Sequence, residues 1–255
     1  MRVIASVFSV SKAGSVATEN DDACWPSNDC EEQKGLFRAA ISDGATESAF
    51  AGLWARQLVD AYGAGQLNAH STNLIERLSP LQEEWRRGVA RRDLPWYAEE
   101  KARSGAFAAF LGVSFSPPRQ RAAATGRWKA WAVGDCCLAH VRGSELRVSF
   151  PLTRSDQFNS RPVLLASRAD RNAAASDALV ERGGRWRSDD LFLLMTDALA
   201  AWFLRECEEG RRPWERLRDL GTDGERYDFP TFVGELRETG ALRNDDTTLL
   251  RVDVI

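Results

Sequence analysis

Two hydrophobic periods divide this sequence into predicted strands and predicted helices. Mostly apolar runs that are bounded by Gly, Ser, Asn or Asp are typical of strands. Such runs cover residues 3–10, 37–41, 106–115, 127–133, 136–141, 146–150, 191–195 and 247–254. Gly143-Ser144 stands between two of these runs and predicts a β-hairpin.

Other segments follow the period of an α-helix. Apolar residues spaced by three or four positions predict an amphipathic helix over residues 47–62. They are Phe50, Leu53, Trp54, Leu58 and Ala61. Residues 73–88, 95–103, 199–207 and 229–237 are also predicted helices. Antiparallel hairpins flanked by helix pairs indicate a layered α+β domain. No internal repeat or low-complexity linker divides the chain, so we interpret residues 1–255 as one domain.

The composition indicates a globular protein of the cytoplasm. The chain has 255 residues, of which 44% are hydrophobic, enough to form a core. No apolar run approaches the roughly 20 residues that span a bilayer, so no membrane partner is expected. The opening apolar run lacks a strongly basic flank and a convincing cleavage site, and we interpret it as the first strand. The cysteine count of five is odd, which fits reduced thiols.

Charge and histidine content narrow the ligand class. A net charge of −3 and a pI of about 5.6 argue against nucleic acid as the main ligand. Only His70 and His140 are histidines, so a histidine-based zinc site is not expected; His140 is interpreted as structural. A carboxylate site favours hard cations such as Mg²⁺ or Mn²⁺.

Aspartates recur where the predicted strands begin or end. Asp43, Asp135 and Asp197 each follow an apolar run, Asp21-Asp22 lies between the first two strands, and Asp245-Asp246 precedes the last. Strand ends hold carboxylates rigidly, and several at one edge could bind divalent cations. Each aspartate alone is more typical of a turn or a helix N-cap, so the metal hypothesis depends on the whole set.

In order and spacing, the short motifs together resemble the protein phosphatase 2C family of metal-dependent serine/threonine phosphatases. The resemblance extends from about Gly14 to Val252. The motifs are Gly14 ahead of Asn20-Asp21-Asp22, then Asp43-Gly44, Ser104-Gly105, Val133-Gly134-Asp135, Leu152-Thr153-Arg154-Ser155-Asp156, Asp197-Ala198-Leu199 and Asp245-Asp246-Thr247-Thr248. The resemblance implies a four-layer α-β-β-α sandwich of two packed, mainly antiparallel sheets flanked by helices. It also implies a variable flap over residues 155–186, for which an ordinary surface excursion is the alternative.

The resemblance further implies a site for two Mn²⁺ or Mg²⁺ ions. Asp43 would bridge the two ions. The Gly44 carbonyl and Asp22 would complete one site, and Asp197 and Asp245 would complete the other. Two cations about 3.5–4 Å apart can bridge a water, lower its pKa and clamp a phosphate. The implied catalytic residues are therefore Asp22, Asp43, Asp197 and Asp245.

Three further aspartates have supporting roles in this interpretation. Asp135 would help to hold a weaker third ion, whereas Asp21 and Asp246 would support the ligands without binding a cation themselves. The implied reaction is the hydrolysis of phosphoserine and phosphothreonine in proteins. The substrate would be a phosphoprotein, made by a partner serine/threonine kinase.

The departures from the family pattern lie mainly on the phosphate-binding side. Ala17 stands where the family has an arginine that contacts the substrate phosphate. Lys12 is the candidate replacement, with a solvated surface lysine as the alternative. Asp21 is shorter than the family glutamate, and Ala45 replaces a histidine found in eukaryotic members. Ala198 and Asp246 replace a glycine and an asparagine. The metal-binding carboxylates are all retained.

Two other functions are compatible with parts of this sequence. A phosphatase-like module that has lost turnover and binds a phosphoprotein or partner is favoured by Ala17 and Ala45, and it remains the alternative. A hydrolase of the haloacid dehalogenase type is faintly indicated by Asp43-Gly44-Ala45-Thr46. It would need a nucleophilic aspartate two residues upstream, where the chain has Ile41, and we reject it.

Overall fold

The computed structural model describes residues 1–32, 35–68, 73–92, 96–118, 125–158, 161–221 and 228–255; His70 lies outside these ranges. The strands are β1 (Val3–Val10), β2 (Asp22–Trp25), β3 (Cys30–Glu32), β4 (Phe37–Gly44), β5 (Phe107–Ser116), β6 (Thr125–Val133), β7 (Cys137–Arg142), β8 (Glu145–Phe150), β9 (Leu165–Ala166), β10 (Val180–Arg187), β11 (Asp190–Met195) and β12 (Thr247–Val254). The helices are α1 (Ala51–Gly63), α2 (Leu74–Ala90), α3 (Trp96–Ser104), α4 (Ala175–Ala178), α5 (Asp197–Glu208), α6 (Pro213–Arg218) and α7 (Phe229–Glu238).

The strands form two antiparallel sheets. The first has the order β3-β1-β12-β11-β7-β8, and the second has the order β10-β6-β5-β4-β2, with β9 paired to β5. The predicted hairpin at Gly143-Ser144 joins β7 to β8. The predicted α+β sandwich is therefore confirmed.

Three apolar cores separate four layers. Alternate residues of β5 face opposite sides: Phe110 packs with α1 and α2, whereas Leu111 packs between the two sheets. In β11, Leu194 faces the other sheet and Leu193 faces α5, α6 and α7. Because both faces of these central strands are buried, their sequences are continuously apolar rather than alternating.

Helix α1 begins later than the hydrophobic period predicts. Phe50 has a left-handed backbone with φ of 57°, so residues 47–50 cannot continue the helix toward its N-terminus. This segment is fastened to the start of β5 instead. Ala45 N donates to the Phe107 carbonyl at 2.9 Å, and Phe107 N donates to Ser48 Oγ at 3.2 Å. The loop between β4 and α1 therefore lies against β5.

Several short or exposed elements are not predicted by the hydrophobic pattern. β10 is an edge strand that pairs with β6 over its whole length, within a segment that fits neither period. Most of its side chains are exposed, so it carries no apolar alternation. β2 and β3 flank a turn and are only a few residues long. The described part of the chain contains no helix that is both long and apolar enough to cross a membrane.

Candidate functional site

Two of the predicted ligands face each other on neighbouring strands. Asp22 opens β2 and Asp43 lies near the end of β4, and the two are direct partners in the antiparallel register. Thr196, at the end of β11, donates through Oγ1 to Asp22 Oδ2 at 3.1 Å. Thr196 Oγ1 also accepts a hydrogen bond from Thr248 N at 2.9 Å. One hydroxyl thus connects the carboxylate of one sheet to two strands of the other.

Asp135 approaches from the turn between β6 and β7. The preceding Gly134 has φ of +102°, and a Cβ at this position would lie 2.6 Å from the Cβ of Ala109. A glycine is therefore required both for the turn and for its close packing on β5. Asp135 itself is buried.

Asp197 and Asp245 complete the group from the other sheet. Asp197 is the first residue of α5, and Asp245 lies in the loop that precedes β12. Arg243 lies between them, because its Nη2 donates to Oδ2 of Asp197 and, at 2.9 Å, to Oδ2 of Asp245. The second pair of predicted ligands is therefore held by a guanidinium group.

Burial and mutual repulsion raise the pKa values of these carboxyl groups. Burial raises the pKa of Asp22 and of Asp43 well above the usual range. The charges of Asp22, Asp197, Asp135 and Asp245 raise that of Asp43 further. Burial, followed by the charge of Asp197, raises the pKa of Asp135 to about 7. The structure thus brings together the five aspartates that the sequence places on separate elements.

Two oxygens in this group have no hydrogen-bond partner although they are buried. They are Oδ1 of Asp22 and Oδ1 of Asp197. A buried acceptor without a partner is costly, and carboxylate oxygens are the ligands that Mg²⁺ and Mn²⁺ prefer. Within the described ranges, no group of three or more histidine, cysteine, aspartate or glutamate side chains is arranged so that it could hold a metal ion. The carboxylate oxygens are chemically suited to divalent cations. Two of these carboxylates, Asp197 and Asp245, are hydrogen-bonded to Arg243 instead.

Asp21 and Asp246 support the site from outside the cleft. Asp246 accepts hydrogen bonds from Lys12 N at 2.8 Å and from Asp21 N at 2.9 Å. Asp21 accepts one from Gly52 N in the first turn of α1, at 2.8 Å. Burial raises the pKa of Asp21. These two carboxylates connect the loop after β1 to β12 and to α1.

The carboxylates open into one cleft of about 780 Å³. Asp43, Asp135, Asp197 and Asp245 line it, together with the Ser104-Gly105 motif and with three cationic residues, Lys101, Arg161 and Arg243. Of the described residues that line the cleft, none is Lys12 or Ala17. The positive charge of Lys12 partly offsets the effect of burial on the pKa of Asp21. The role of Lys12 in binding phosphate stays a prediction.

Sequence reasoning did not identify the cations of the cleft. Arg243 stands two residues before Asp245, so its proximity to one carboxylate was readable from the motif. The contact of Arg243 with Asp197 joins residues 46 positions apart, so the motif could not predict it. Lys101 and Arg161 come from segments with no motif of their own. Arg237 was also missed; its guanidinium donates to the carbonyl groups of Ser11 and Asp245.

Solved structures of serine/threonine phosphatases share this fold. The Mycobacterium tuberculosis serine/threonine phosphatase PstP/Ppp covers 100% of this chain and 99% of its own, with a TM-score of 0.58 and 16% identity. The catalytic domain of PstP in complex with 2 manganese ions covers 99% of both chains, with a TM-score of 0.54 and 17% identity. The S. agalactiae serine/threonine phosphatase covers 99% of this chain and 100% of its own, with a TM-score of 0.56 and 12% identity. No protein-family model matches the sequence, and no curated protein sequence matches it. At these identities the likeness establishes the fold.

Proposed function

We propose that this chain is a metal-dependent phosphatase that hydrolyses phosphoserine and phosphothreonine in proteins. The observation that carries the proposal is a cleft lined by four aspartates from separate strand ends and loops, with a fifth, Asp22, paired to Asp43 across β2 and β4. Two of them, Asp22 and Asp197, hold buried oxygens without a partner. The shared fold with solved serine/threonine phosphatases supports the same conclusion.

The proposed roles of the ligands are those that the family resemblance implies, and the placement of the carboxylates supports them. Asp43 is the proposed bridging ligand, since it pairs with Asp22 across β2 and β4 and lines the same cleft as Asp197 and Asp245. The Gly44 carbonyl and Asp22 would hold one Mn²⁺ or Mg²⁺, Asp197 and Asp245 would hold the second, and Asp135 a weaker third. When bound, two such cations supply an activated water and neutralise charge on the phosphoryl oxygens.

The remaining residues of the site orient the carboxylate of Asp22 and attract an anionic substrate. Thr196 donates a hydrogen bond to one oxygen of Asp22, and the pairing of β2 with β4 places Asp22 beside Asp43. The other oxygen of Asp22 is therefore available to a cation. Lys101, Arg161 and Arg243 at the cleft favour an anionic substrate. A phosphorylated protein segment is therefore the proposed substrate. A serine/threonine kinase acting on the same substrate, and a cytoplasmic location, belong to this proposal.

Hydrolysis assays on two substrates test the proposal. Purified protein is assayed with p-nitrophenyl phosphate and with a phosphothreonine peptide, after chelation and after addition of Mn²⁺ or Mg²⁺. We expect turnover only with metal, and a higher melting temperature in its presence, because cations offset the repulsion among the carboxylates. Metal-independent turnover, or no response to metal in either measurement, would contradict the proposal.

A binding module without turnover is the second candidate. It is favoured by Arg243, which ties up two of the proposed ligands, and by the absence of a cation at Ala17. Stabilisation by Mn²⁺ without hydrolysis of any phosphoserine or phosphothreonine substrate would support this candidate instead. Measuring melting temperature and turnover on the same preparation separates the two functions.

A further inference from the structure

Arg243 makes contacts that compete with the proposed cation. It lies in the loop between α7 and β12, and a single nitrogen, Nη2, donates to Oδ2 of both Asp197 and Asp245. The arginine side chain is 60% exposed, whereas those of Asp197 and Asp245 are 15% and 31% exposed. The charged end is therefore inserted between two carboxylates while the rest of the side chain remains in solvent.

A divalent cation and this guanidinium group require the same oxygens. The contacts of Arg243 with these oxygens are lost when a cation takes them, so displacing Arg243 opposes cation binding. A half-exposed arginine on a loop can rotate away without disturbing the core, which makes the exchange feasible.

The displaced guanidinium would stay at the cleft. Arg243 lines the same cleft as Asp43 and Asp135, and its planar fork matches the geometry of phosphate oxygens. Ala17 supplies no cation, and Lys12 is not among the described residues that line the cleft.

We propose that Arg243 exchanges partners during the working cycle of this protein. Without a cation it binds Asp197 and Asp245; when a divalent cation takes those carboxylates, Arg243 is released and binds the substrate phosphate. This inference rests on the proposed function, because it assumes that Asp197 and Asp245 are metal ligands. It makes Arg243 both a competitor for the metal and a substrate-binding residue.

Calorimetric titration of the chelated 255-residue chain with Mn²⁺ tests the competition. Arg243→Gln should bind Mn²⁺ about tenfold more tightly than the wild type, because the cation no longer displaces the contacts of Arg243 with Asp197 and Asp245. Lys101→Gln is the matched control, since Lys101 lines the same cleft and, in the part of the chain that the structure describes, forms no ion pair with Asp197 or Asp245. Its affinity should change by less than about threefold, as expected for a screened charge.

Inorganic phosphate tests the second half of the exchange. Titrated into Mn²⁺-saturated protein, it should bind Arg243→Gln about tenfold more weakly than the wild type, since a charge-assisted contact is lost. Arg243→Lys should lie between the two in both titrations, because an ammonium group keeps the charge and loses the fork. Circular dichroism checks that each variant is folded. If Arg243→Gln does not fold, both titrations are carried out with Arg243→Lys.

The outcomes separate this inference from the function on which it rests. If the wild type binds Mn²⁺ and Arg243→Gln binds it equally well, or if Lys101→Gln matches Arg243→Gln, the competition is overturned and the proposed metal site stands. If phosphate binding is unchanged in Arg243→Gln, the substrate-binding role is overturned. If neither the wild type nor Arg243→Gln binds Mn²⁺, the proposed function and the exchange both fail.

Discussion

At the residue scale, Asp43 lies among like charges. It faces Asp22 across two strands and senses the charges of three further aspartates, so burial and repulsion together raise its pKa well above the usual range. A group in such a position is destabilising for the metal-free fold. As the proposed bridging ligand it would bind two cations, which would relieve the same repulsion.

Replacement of Asp43 by asparagine separates these two effects. Asp43→Asn should abolish metal-dependent hydrolysis, because the bridging carboxylate is lost, while the melting temperature of the chelated protein should stay equal or increase. Activity on a phosphothreonine peptide with Mn²⁺ and thermal unfolding with EDTA are the measurements. Wild-type turnover in this variant would remove Asp43 from the site.

Gly44 is required by the close approach of three segments. A Cβ at this position would lie 2.7 Å from the Asp21 carbonyl oxygen and 2.9 Å from backbone and Cβ atoms of Ala51. Backbone atoms cannot move aside easily, so Gly44→Ala should destabilise the protein by about 1–3 kcal/mol and reduce turnover. Urea unfolding and the peptide assay measure the two effects.

Gly234 provides the matched control for that substitution. It lies inside α7, and no atom lies within 4 Å of a Cβ built there. Gly234→Ala should therefore stabilise the protein by about 0.5–1 kcal/mol, the usual gain of alanine over glycine in a helix. Equal effects of the two substitutions would contradict the close packing at Gly44.

At the scale of elements, Arg237 fastens the end of α7 to the strands that carry the site. Its Nη1 donates to the Ser11 carbonyl at 2.9 Å, and its Nη2 donates to the Asp245 carbonyl and, at 3.1 Å, to Thr247 Oγ1. The loop that presents Asp245 is thus fixed between α7 and the end of β1. Positioning of Asp245 therefore depends on a residue that is not itself a proposed ligand.

Arg237→Met should show this dependence. We expect a loss of about 1–3 kcal/mol in the free energy of unfolding, because several carbonyl and hydroxyl acceptors lose a charged donor. Mn²⁺ affinity should also fall, although no carboxylate is removed. Arg87→Met is the control, since Arg87 makes an exposed ion pair with Glu83 on α2 and should change stability by less than about 1 kcal/mol. Unchanged Mn²⁺ affinity in Arg237→Met would mean that the loop holds Asp245 without it.

At the scale of the whole molecule, the raised pKa values link stability to pH and metal. Several buried or half-buried aspartates have folded-state pKa values above the unfolded value of about 3.9. They are Asp21, Asp22, Asp43, Asp135 and Asp197. In that range the folded state keeps protons that the unfolded chain has lost, so ionisation on raising the pH destabilises the fold. His140 acts in the opposite direction, because burial lowers its pKa.

The chelated protein should therefore become less stable as the pH rises from about 4 to about 7, by up to roughly 1.4 kcal/mol per pH unit for each such proton. Mn²⁺ should flatten or reverse this slope, because cation binding releases the protons. Urea unfolding at several pH values, with EDTA and with Mn²⁺, measures both slopes. Asp135→Asn should reduce the slope in EDTA, since the pKa of Asp135 is raised to about 7. A chelated protein that gains stability over this range would contradict the assignment.

Hydrophobic periodicity by itself determined much of the secondary structure. The predicted strands at residues 3–10 and 247–254 agree with β1 and β12, because continuous apolar runs arise where both faces of a strand are buried. β10 was missed because an exposed edge strand needs no apolar pattern. The start of α1 was misplaced because the left-handed Phe50 is a local backbone conformation that side-chain spacing does not encode. The interpretation of residues 1–255 as one domain, with a flap at 155–186, stays a prediction.

For the candidate site, the sequence determined which carboxylates stand at strand ends, since strand boundaries and aspartates are both local features. Only the tertiary structure decided how they interact. It pairs Asp22 with Asp43 through strand register, and it inserts Arg243 between Asp197 and Asp245. It also leaves Lys12 outside the described lining of the cleft. These relations depend on how two sheets and a loop pack across large sequence separations, and the burial that shifts the pKa values exists only after that packing.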